Sequence, residues 1–378
     1  MSQEPTASHP PIRIGIDATP LAGPIAGIGR YTAEICLRLD ALLPEAEFLL
    51  YTPLAIDMAL PSARWSIRLV RRRVPGSYFW LKSSLRKVVA HDCLDVFWAT
   101  RTLLPSIDPG PRTLSTVYDL NYRLVPESMP PMTRLAHRLW FRHDLKRADA
   151  IIAASRGTAS RLREHLGIDA HAIASPGVGS AFVAPDAQSI QARLASLGVS
   201  RPFFLGVGTL EPRKNLVSLI EAFTALRARR ELDEYSLILV GKAGWGDRKL
   251  RASLRSAAST RVHWIGRAPD EDLAALYASC AAFVFPSHYE GFGIPAAEAL
   301  ACRARVIASD LPELRESTSG CAHFITPDRD GVARALLAAA QGRIDWPDIV
   351  APATWDDAAH TMARTVRHLS GHQVPDAR

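Results

Sequence analysis

Phe203-Phe-Leu-Gly206-Val-Gly208-Thr209-Leu-Glu211-Pro212-Arg213-Lys214-Asn215 is the stretch that decides how this chain folds. The run Phe203–Val207 suits a strand buried on both faces, the glycines suit a tight turn, and Asn215 opens a helical pattern that reaches Arg230. Strand, turn and helix together make the unit of a parallel sheet, because parallel strands need a crossover between them. The unit recurs downstream. Strands at Leu237–Val240, Val262–Ile265, Ala282–Phe285 and Val306–Ala308 alternate with helices at Asp247–Ala258, Asp270–Ser279 and Ile294–Ala301. It also recurs upstream, with strands at Ile12–Ile16, Phe48–Tyr51, Ile67–Val70, Val96–Trp98, Leu114–Val117 and Ile151–Ala154. Helices are expected there near Tyr31–Leu42, Met132–Ala148 and Ser155–Leu166, the last with Ser155 as its N-cap. A Pro/Gly/Ala-rich stretch at 175–187 separates the two series, so the expectation is an α/β protein of two domains, 1–185 and 186–354, with an amphipathic helix at Trp355–Leu369. Open α/β sheets bind ligands beyond the carboxyl ends of their strands, which places the chemistry in the loops facing a cleft between the domains.

Composition fits this. The chain has 378 residues, 48% hydrophobic and 22% charged, enough for two cores and unlike a disordered or fibrous chain. No apolar run approaches the ~18–20 residues of a membrane span, and the first eleven residues lack the apolar region of a signal peptide, so a cytoplasmic location is expected. The five cysteines are scattered with no C-x-x-C pair, and no H-E-x-x-H spacing occurs, so neither a disulfide framework nor a metal site is expected. Net charge is +7, and its largest acid-free cluster is Met58–His91, with Arg64, Arg68, Arg71, Arg72, Arg73, Lys82, Arg86 and Lys87 around Tyr78, Phe79, Trp80 and Leu81. Such a segment suits an anionic surface or is a solvated helix face; both readings stay open. No nucleic-acid partner is expected, since base-stacking modules and a basic stripe through both domains are missing.

Three loops carry candidate chemistry. Gly23-Pro-Ile-Ala-Gly27-Ile-Gly29-Arg30-Tyr31 feeds a helix start, a natural seat for an anion or a plain tight turn. It is not a dinucleotide fingerprint, because Thr32 stands where the third glycine belongs. Arg213 and Lys214 sit at a helix start where the macrodipole disfavours cations, so an anion such as a diphosphate is expected to bridge them. In Phe283-Val-Phe-Pro286-Ser287-His288-Tyr289-Glu290-Gly291-Phe292-Gly293-Ile294-Pro295-Ala-Ala-Glu298, Glu290 follows a buried strand and Glu298 falls one turn into the next helix. Gly291 and Gly293 let backbone approach a ligand, Glu298 suits a ribose diol, and Glu290 suits sugar hydroxyls.

The E-x7-E segment 290–298, Gly-Thr-Leu-Glu-Pro-Arg-Lys-Asn at 208–215, Ile-Gly-Arg at 265–267 and Gly-Ile-Gly-Arg-Tyr at 27–31 resemble, in order, the retaining glycosyltransferase family 4, especially bacterial mannosyltransferases of lipid-linked polysaccharide assembly. The resemblance implies a GT-B fold, two Rossmann-like domains facing a cleft, with the last helix returned to the first domain. It implies a nucleotide-sugar donor, most of all GDP-mannose, transfer with retention, and no metal or other cofactor. Arg213 and Lys214 then meet the donor diphosphate, Glu298 the ribose, Glu290 and the backbone of Gly291, Phe292 and Gly293 the transferred sugar. Gly208 belongs to the same donor site, Arg267 lies near the base, and Gly27 and Gly29 face the diphosphate from the other domain. The implied acceptor is a polyprenyl-diphosphate-linked glycan at the membrane face, with Arg71, Arg72, Arg73 and Tyr118 on the acceptor and membrane side. Family members often carry His-Asp after the fifth strand, whereas this chain reads Tyr118-Asp119. Asp119 is left to orient the acceptor hydroxyl, since a phenol with a pKa near ~10 is no titrating imidazole. Other nucleotide sugars, an epimerase of the same shape and a non-catalytic sugar-nucleotide scaffold are the alternatives.

Overall fold

The computed structural model describes residues 10–23, 27–71, 77–107, 110–244, 248–257 and 260–372; Arg72 and Arg73 fall outside the described residues. The first sheet contains β1 (Ile12–Asp17), β2 (Ala46–Thr52), β3 (Trp65–Leu69), β4 (Val96–Ala99), β5 (Arg112–Val117), β6 (Ala150–Ala153) and β7 (Ala172–Ile173). Its order is β3-β2-β1-β4-β5-β6-β7, parallel throughout. The second contains β8 (Phe203–Val207), β9 (Ser236–Val240), β10 (Val262–Trp264), β11 (Ala282–Phe285), β12 (Val306–Ser309) and β13 (His323–Ile325), in the order β10-β9-β8-β11-β12-β13, also parallel. Both sheets reverse direction beside their first strand, between β1 and β4 and between β8 and β11, and a switch point of this kind opens a crevice at the strand ends.

Helices cover both faces of each sheet, which is why strands such as β4, β8 and β11 are buried along their whole length. The last helix, Trp355–Ser370, leaves the second unit and packs on the helix Ile28–Leu42, putting Trp355, Ala359, Met362 and Val366 into the first core. Arg38 with Asp356 and Arg367 with Glu45 tie its two ends to the first unit.

The basic segment folds differently from a surface patch. Residues 77–89 form a helical stretch with a π turn at Leu81–Leu85, and Trp80 and Leu81 are fully buried. Trp80 Nε1 donates to the Val70 carbonyl (2.8 Å), and Lys82 pairs with the buried Asp144 (2.5 Å). The aromatic core of this segment therefore holds the helix to the sheet, and among its described basic residues Arg68, Arg71, Arg86 and Lys87 remain exposed.

Candidate functional site

β8 hands the chain to Gly208 and a single 3-10 turn, Pro212–Lys214, before the helix Leu216–Ala228 begins. Asn215 stands at the N-cap of that helix, but its side chain bonds none of the helix's backbone N–H groups. Instead its Nδ2 donates to the carbonyls of Pro286 (3.0 Å) and Pro327 (2.5 Å), and its Oδ1 accepts from Ser218 Oγ (2.7 Å). The amide thus fastens the turn to the segments that follow β11 and β13, which fixes Arg213 and Lys214 in place.

The anions that balance these two cations are part of the protein: Glu290 bridges both, and Glu211 accepts from Arg213 Nε (3.0 Å). Lys214 Nζ donates to Glu290 Oε1 (2.6 Å), Arg213 Nη1 donates to Oε2 (2.9 Å), and Ser287 Oγ donates to Oε1 (2.7 Å). A ligand diphosphate is therefore not needed to hold the pair together, as the helix-start argument had required. Because β8 and β11 are neighbours at the switch point, residues 76 apart in sequence meet here. Burial alone lifts the Glu290 carboxyl, but the charges of Lys214 and Arg213 and the bonds from Lys214 and Ser287 outweigh it and hold its pKa down at about 2. Burial and the neighbouring guanidinium push Lys214 down against the pull of Glu290. Arg213 loses hydration too, yet Glu290, Glu211 and Asp119 drive it upward, so it is a fixed charge. A carboxylate offers about four acceptor positions, so three bonds leave Glu290 room for one hydroxyl.

Gly293 (φ +98°) turns the chain into the helix Ile294–Ala301, where a Cβ would sit 2.4 Å from Leu314 Cδ2. Gly291 lines the cleft, and a Cβ there would lie 2.1 Å from the Tyr118 carbonyl oxygen, so the missing side chain also admits the backbone of the first domain. The Gly291 carbonyl accepts from Ser155 Oγ (2.7 Å) and Thr158 Oγ1 (3.1 Å), and the Tyr289 hydroxyl accepts from the Leu120 N–H (2.8 Å). Ser155 also caps its own helix as expected, accepting from the Thr158 N–H (2.9 Å).

Glu298 is buried one turn into its helix and accepts from Arg30 Nη1 (3.2 Å) across the cleft. The other guanidinium nitrogen, Nη2, donates to both carboxylate oxygens of Asp270 (2.8 and 2.6 Å). Burial raises the Glu298 carboxyl to about 7; Arg30 opposes this and Asp270 adds to it. Sequence reasoning missed Arg30 and Asp270. Arg30 stood inside the quoted Gly27–Tyr31 stretch, but its partners lie 240 and 268 residues away and carry no local signal.

Asp119 follows β5 and lines the cleft, its oxygens accepting from the backbone N–H (3.0 Å) and Nδ2 (2.8 Å) of Asn121. Burial raises its pKa, while the Asn121 N–H and Arg213 pull against that. Tyr118 also lines the cleft, yet its hydroxyl is buried beside Thr32, and its ring meets Tyr31 edge-on at 5.2 Å. That hydroxyl is turned to the core and not toward an acceptor. Gly27, Gly208, Arg267, Phe292 and Gly293 line the same cavity of about 350 Å³, whereas Gly29 is buried in the first turn of its helix and Arg71 lies outside the cavity, just past β3. The helices Ile28–Leu42 and Ile294–Ala301 both begin at this cavity, one from each domain. Among the described residues, no group of three or more His, Cys, Asp or Glu side chains is placed to hold a metal ion, and no helix is long and apolar enough to cross a membrane.

Two family models match the chain in series, Glycosyltransferase Family 4 over residues 25–178 and Glycosyl transferases group 1 over residues 191–323. The chain belongs to the family 4 glycosyltransferases. This glycosyltransferase is 28% identical to O-antigen chain mannosyltransferase B of Escherichia coli over 85% of its own length and 89% of the relative's. It is 31% identical to a GDP-mannose-dependent alpha-mannosyltransferase of Mycobacterium tuberculosis over 65% of its length, spanning 58% of that protein. In structure it resembles sucrose-phosphate synthase from Thermosynechococcus elongatus with a TM-score of 0.71 at 19% identity, covering 96% of this chain and 100% of the other. The two parallel sheets facing a shared cleft are the GT-B fold that the sequence motifs implied.

Proposed function

We propose that this glycosyltransferase moves mannose from GDP-mannose, with retention and without a metal, onto a polyprenyl-diphosphate-linked glycan of a surface polysaccharide. The observation that carries the reading is the buried Glu290–Arg213–Lys214 cluster at the switch point, opposite the Gly27 helix start. As the anomeric C–O bond breaks, its electron pair goes to the leaving diphosphate oxygen. Arg213, Lys214 and two facing helix N-termini stabilise that charge as preorganised dipoles and cations do. The acceptor oxygen bonds the anomeric carbon on the same face, and its proton passes to the departing phosphate. Glu290 takes a sugar hydroxyl on its remaining acceptor position, Glu298 the ribose diol, Arg267 and its neighbours the base, and Asp119 orients the acceptor hydroxyl. The mannosyl relatives support the choice of sugar.

The enzyme meets its lipid acceptor, in this reading, as a peripheral protein on the cytoplasmic face of the membrane. The surface that supports this is wider than the basic segment alone. Met132, Leu135 and Leu139 are exposed on the helix Pro131–Arg147 amid Arg134, Arg138 and Arg142, and Phe79 meets Trp140 edge-on at 5.1 Å, joining this helix to the basic segment. Apolar and basic residues on one surface suit anionic headgroups.

The test is transfer of labelled sugar from GDP-, UDP-, ADP- and TDP-sugars to a synthetic polyprenyl-diphosphate glycan, with and without chelator, and with donor alone. Mannosylated lipid from GDP-mannose with chelator present is the expected product. A different preferred donor overturns the choice of sugar and base. Conversion of the donor without acceptor indicates an epimerase instead.

A further inference from the structure

Arg30 belongs to the first domain, in the first turn of the helix Ile28–Leu42, and both its acidic partners belong to the second. Its side chain is 21% exposed, and the guanidinium carbon lies 5.5 Å from the centre of the Phe182 ring, on the segment that connects the domains. The bidentate grip on Asp270 is short, 2.6 and 2.8 Å, while the single bond to Glu298 Oε1 is longer at 3.2 Å. Asp270 therefore sets where the guanidinium sits, and Glu298, with Arg30 and Tyr277 beside it, still lines the cavity with acceptor positions to spare. The groups facing Glu298 are Arg30 from the first domain, Asp270 and Tyr277 from the helix Asp270–Ser279, and Cys302 at the end of its own helix. Arg30 is the one cation of these four.

We infer that Arg30 is a donor-positioning residue supplied across the cleft: anchored on Asp270, it keeps Glu298 as an oriented carboxylate for the nucleotide's ribose and makes that readiness depend on the approach of the two domains. The inference rests on the proposed contact between Glu298 and the ribose. A diol donates two hydrogen bonds and needs an ionised carboxylate to receive both. Without Arg30, a carboxyl buried beside Asp270 takes up a proton more readily and loses that capacity.

Donor KM and kcat measured from pH 6 to pH 9 for the wild type, Arg30→Gln, Arg30→Lys, Asp270→Asn and Glu298→Gln test this. In the wild type, donor KM rises as the pH falls below about 7, where Glu298 protonates. Arg30→Gln moves that rise toward alkaline pH by about one pH unit, which is about tenfold in KM on the acid limb. Arg30→Lys retains the charge and keeps the profile near its wild-type position. Asp270→Asn removes the like charge and moves the rise toward acid, opposite to Arg30→Gln, and a general folding defect does not produce opposite displacements. Glu298→Gln raises KM at every pH and flattens the profile. If Glu298→Gln binds donor as well as wild type, the ribose contact itself is wrong. If Glu298→Gln is impaired while Arg30→Gln keeps the wild-type profile, with or without a higher KM, the role assigned to Arg30 is overturned and the ribose contact stands.

Discussion

Replacing Glu290 by Gln removes the one negative charge that bridges Arg213 and Lys214 and leaves the shape of the site intact. In the folded protein this carboxyl titrates at about 2, against an ordinary 4.5 in an unfolded chain. The depressed value means that its charge stabilises the fold fully above about pH 4.5, and that this contribution fades as the pH falls toward 2. The difference converts to about 3 kcal/mol at neutral pH, in line with the roughly 3–5 kcal/mol for breaking a buried pair. At roughly 2–4 °C per kcal/mol for a unit of this size, Glu290→Gln lowers the melting midpoint by roughly 6–12 °C. GDP then stabilises the variant more than it stabilises the wild type, because its diphosphate supplies the charge the two cations have lost. Transfer activity falls although nucleotide binding strengthens. Scanning calorimetry at pH 7 with and without GDP, beside a transfer assay, reads all three effects. A variant that melts with the wild type and gains the same stabilisation from GDP would refute the view that Glu290 is the internal counter-ion.

Other perturbations follow from the same geometry. Gly291→Ala puts a methyl group 2.1 Å from the Tyr118 carbonyl oxygen and pushes the domains apart; turnover drops about 100-fold, as for a misplacement near 1 Å, and small-angle scattering shows a larger radius of gyration. Full activity in that variant would show that the close approach is dispensable. Trp80→Ala costs about 3–5 kcal/mol in denaturant unfolding, since the indole is core and not a membrane anchor. A loss of liposome binding with unchanged stability would reverse that assignment. Charge reversal at Arg134 and Arg138 removes sedimentation with anionic liposomes, at about 1 kcal/mol per basic residue before the reversal is added. Unchanged sedimentation places the membrane contact elsewhere.

The buried strands were legible because a short apolar run bounded by glycine and proline has few other solutions; β1, β8, β9 and β11 all fall within a residue of their expected bounds. What escaped was short or at an edge. β7 has two residues and β13 three, the helices Ala187–Ser196 and Pro312–Ser317 are short with few large apolar residues, and Arg329–Ala340, though rich in alanine and leucine, lay beyond the last strand read. The aromatic cluster at 78–81 misled because a basic run hides which residue faces inward; only the contact with Val70 and Asp144 shows that Trp80 and Lys82 are tied to the interior. At the site, Arg213, Lys214, Glu290 and Glu298 were found from residue type and position after a strand, but their pairing was not. That Glu290 bridges the two cations follows from the adjacency of β8 and β11, which no local pattern encodes.

The loop that carries Glu290 is also the loop that joins the domains, and this couples donor chemistry to domain approach. Opening the cleft breaks the bonds from Ser155 and Thr158 to the Gly291 carbonyl and from the Leu120 N–H to the Tyr289 hydroxyl, and separates Arg30 from Asp270 and Glu298. At roughly 0.5–1.5 kcal/mol each, the three hydrogen bonds alone hold the domains together by a few kcal/mol. The cluster of Glu290, Glu211, Arg213 and Lys214 lies wholly within the second domain, so it survives that separation with its charges balanced. The cost of opening is therefore borne by the domain contacts and not by the catalytic charges. Arg161 on the buried Glu313 and the Arg156 N–H on Glu316 add contacts across the same boundary, so the three bonds set only a floor on the cost of opening. A donor that enters only through an open form has its apparent affinity reduced by the fraction of molecules in that form. Closure then restores the Tyr289 and Gly291 contacts on either side of Glu290 and brings the helix start at Gly27 back opposite the cluster.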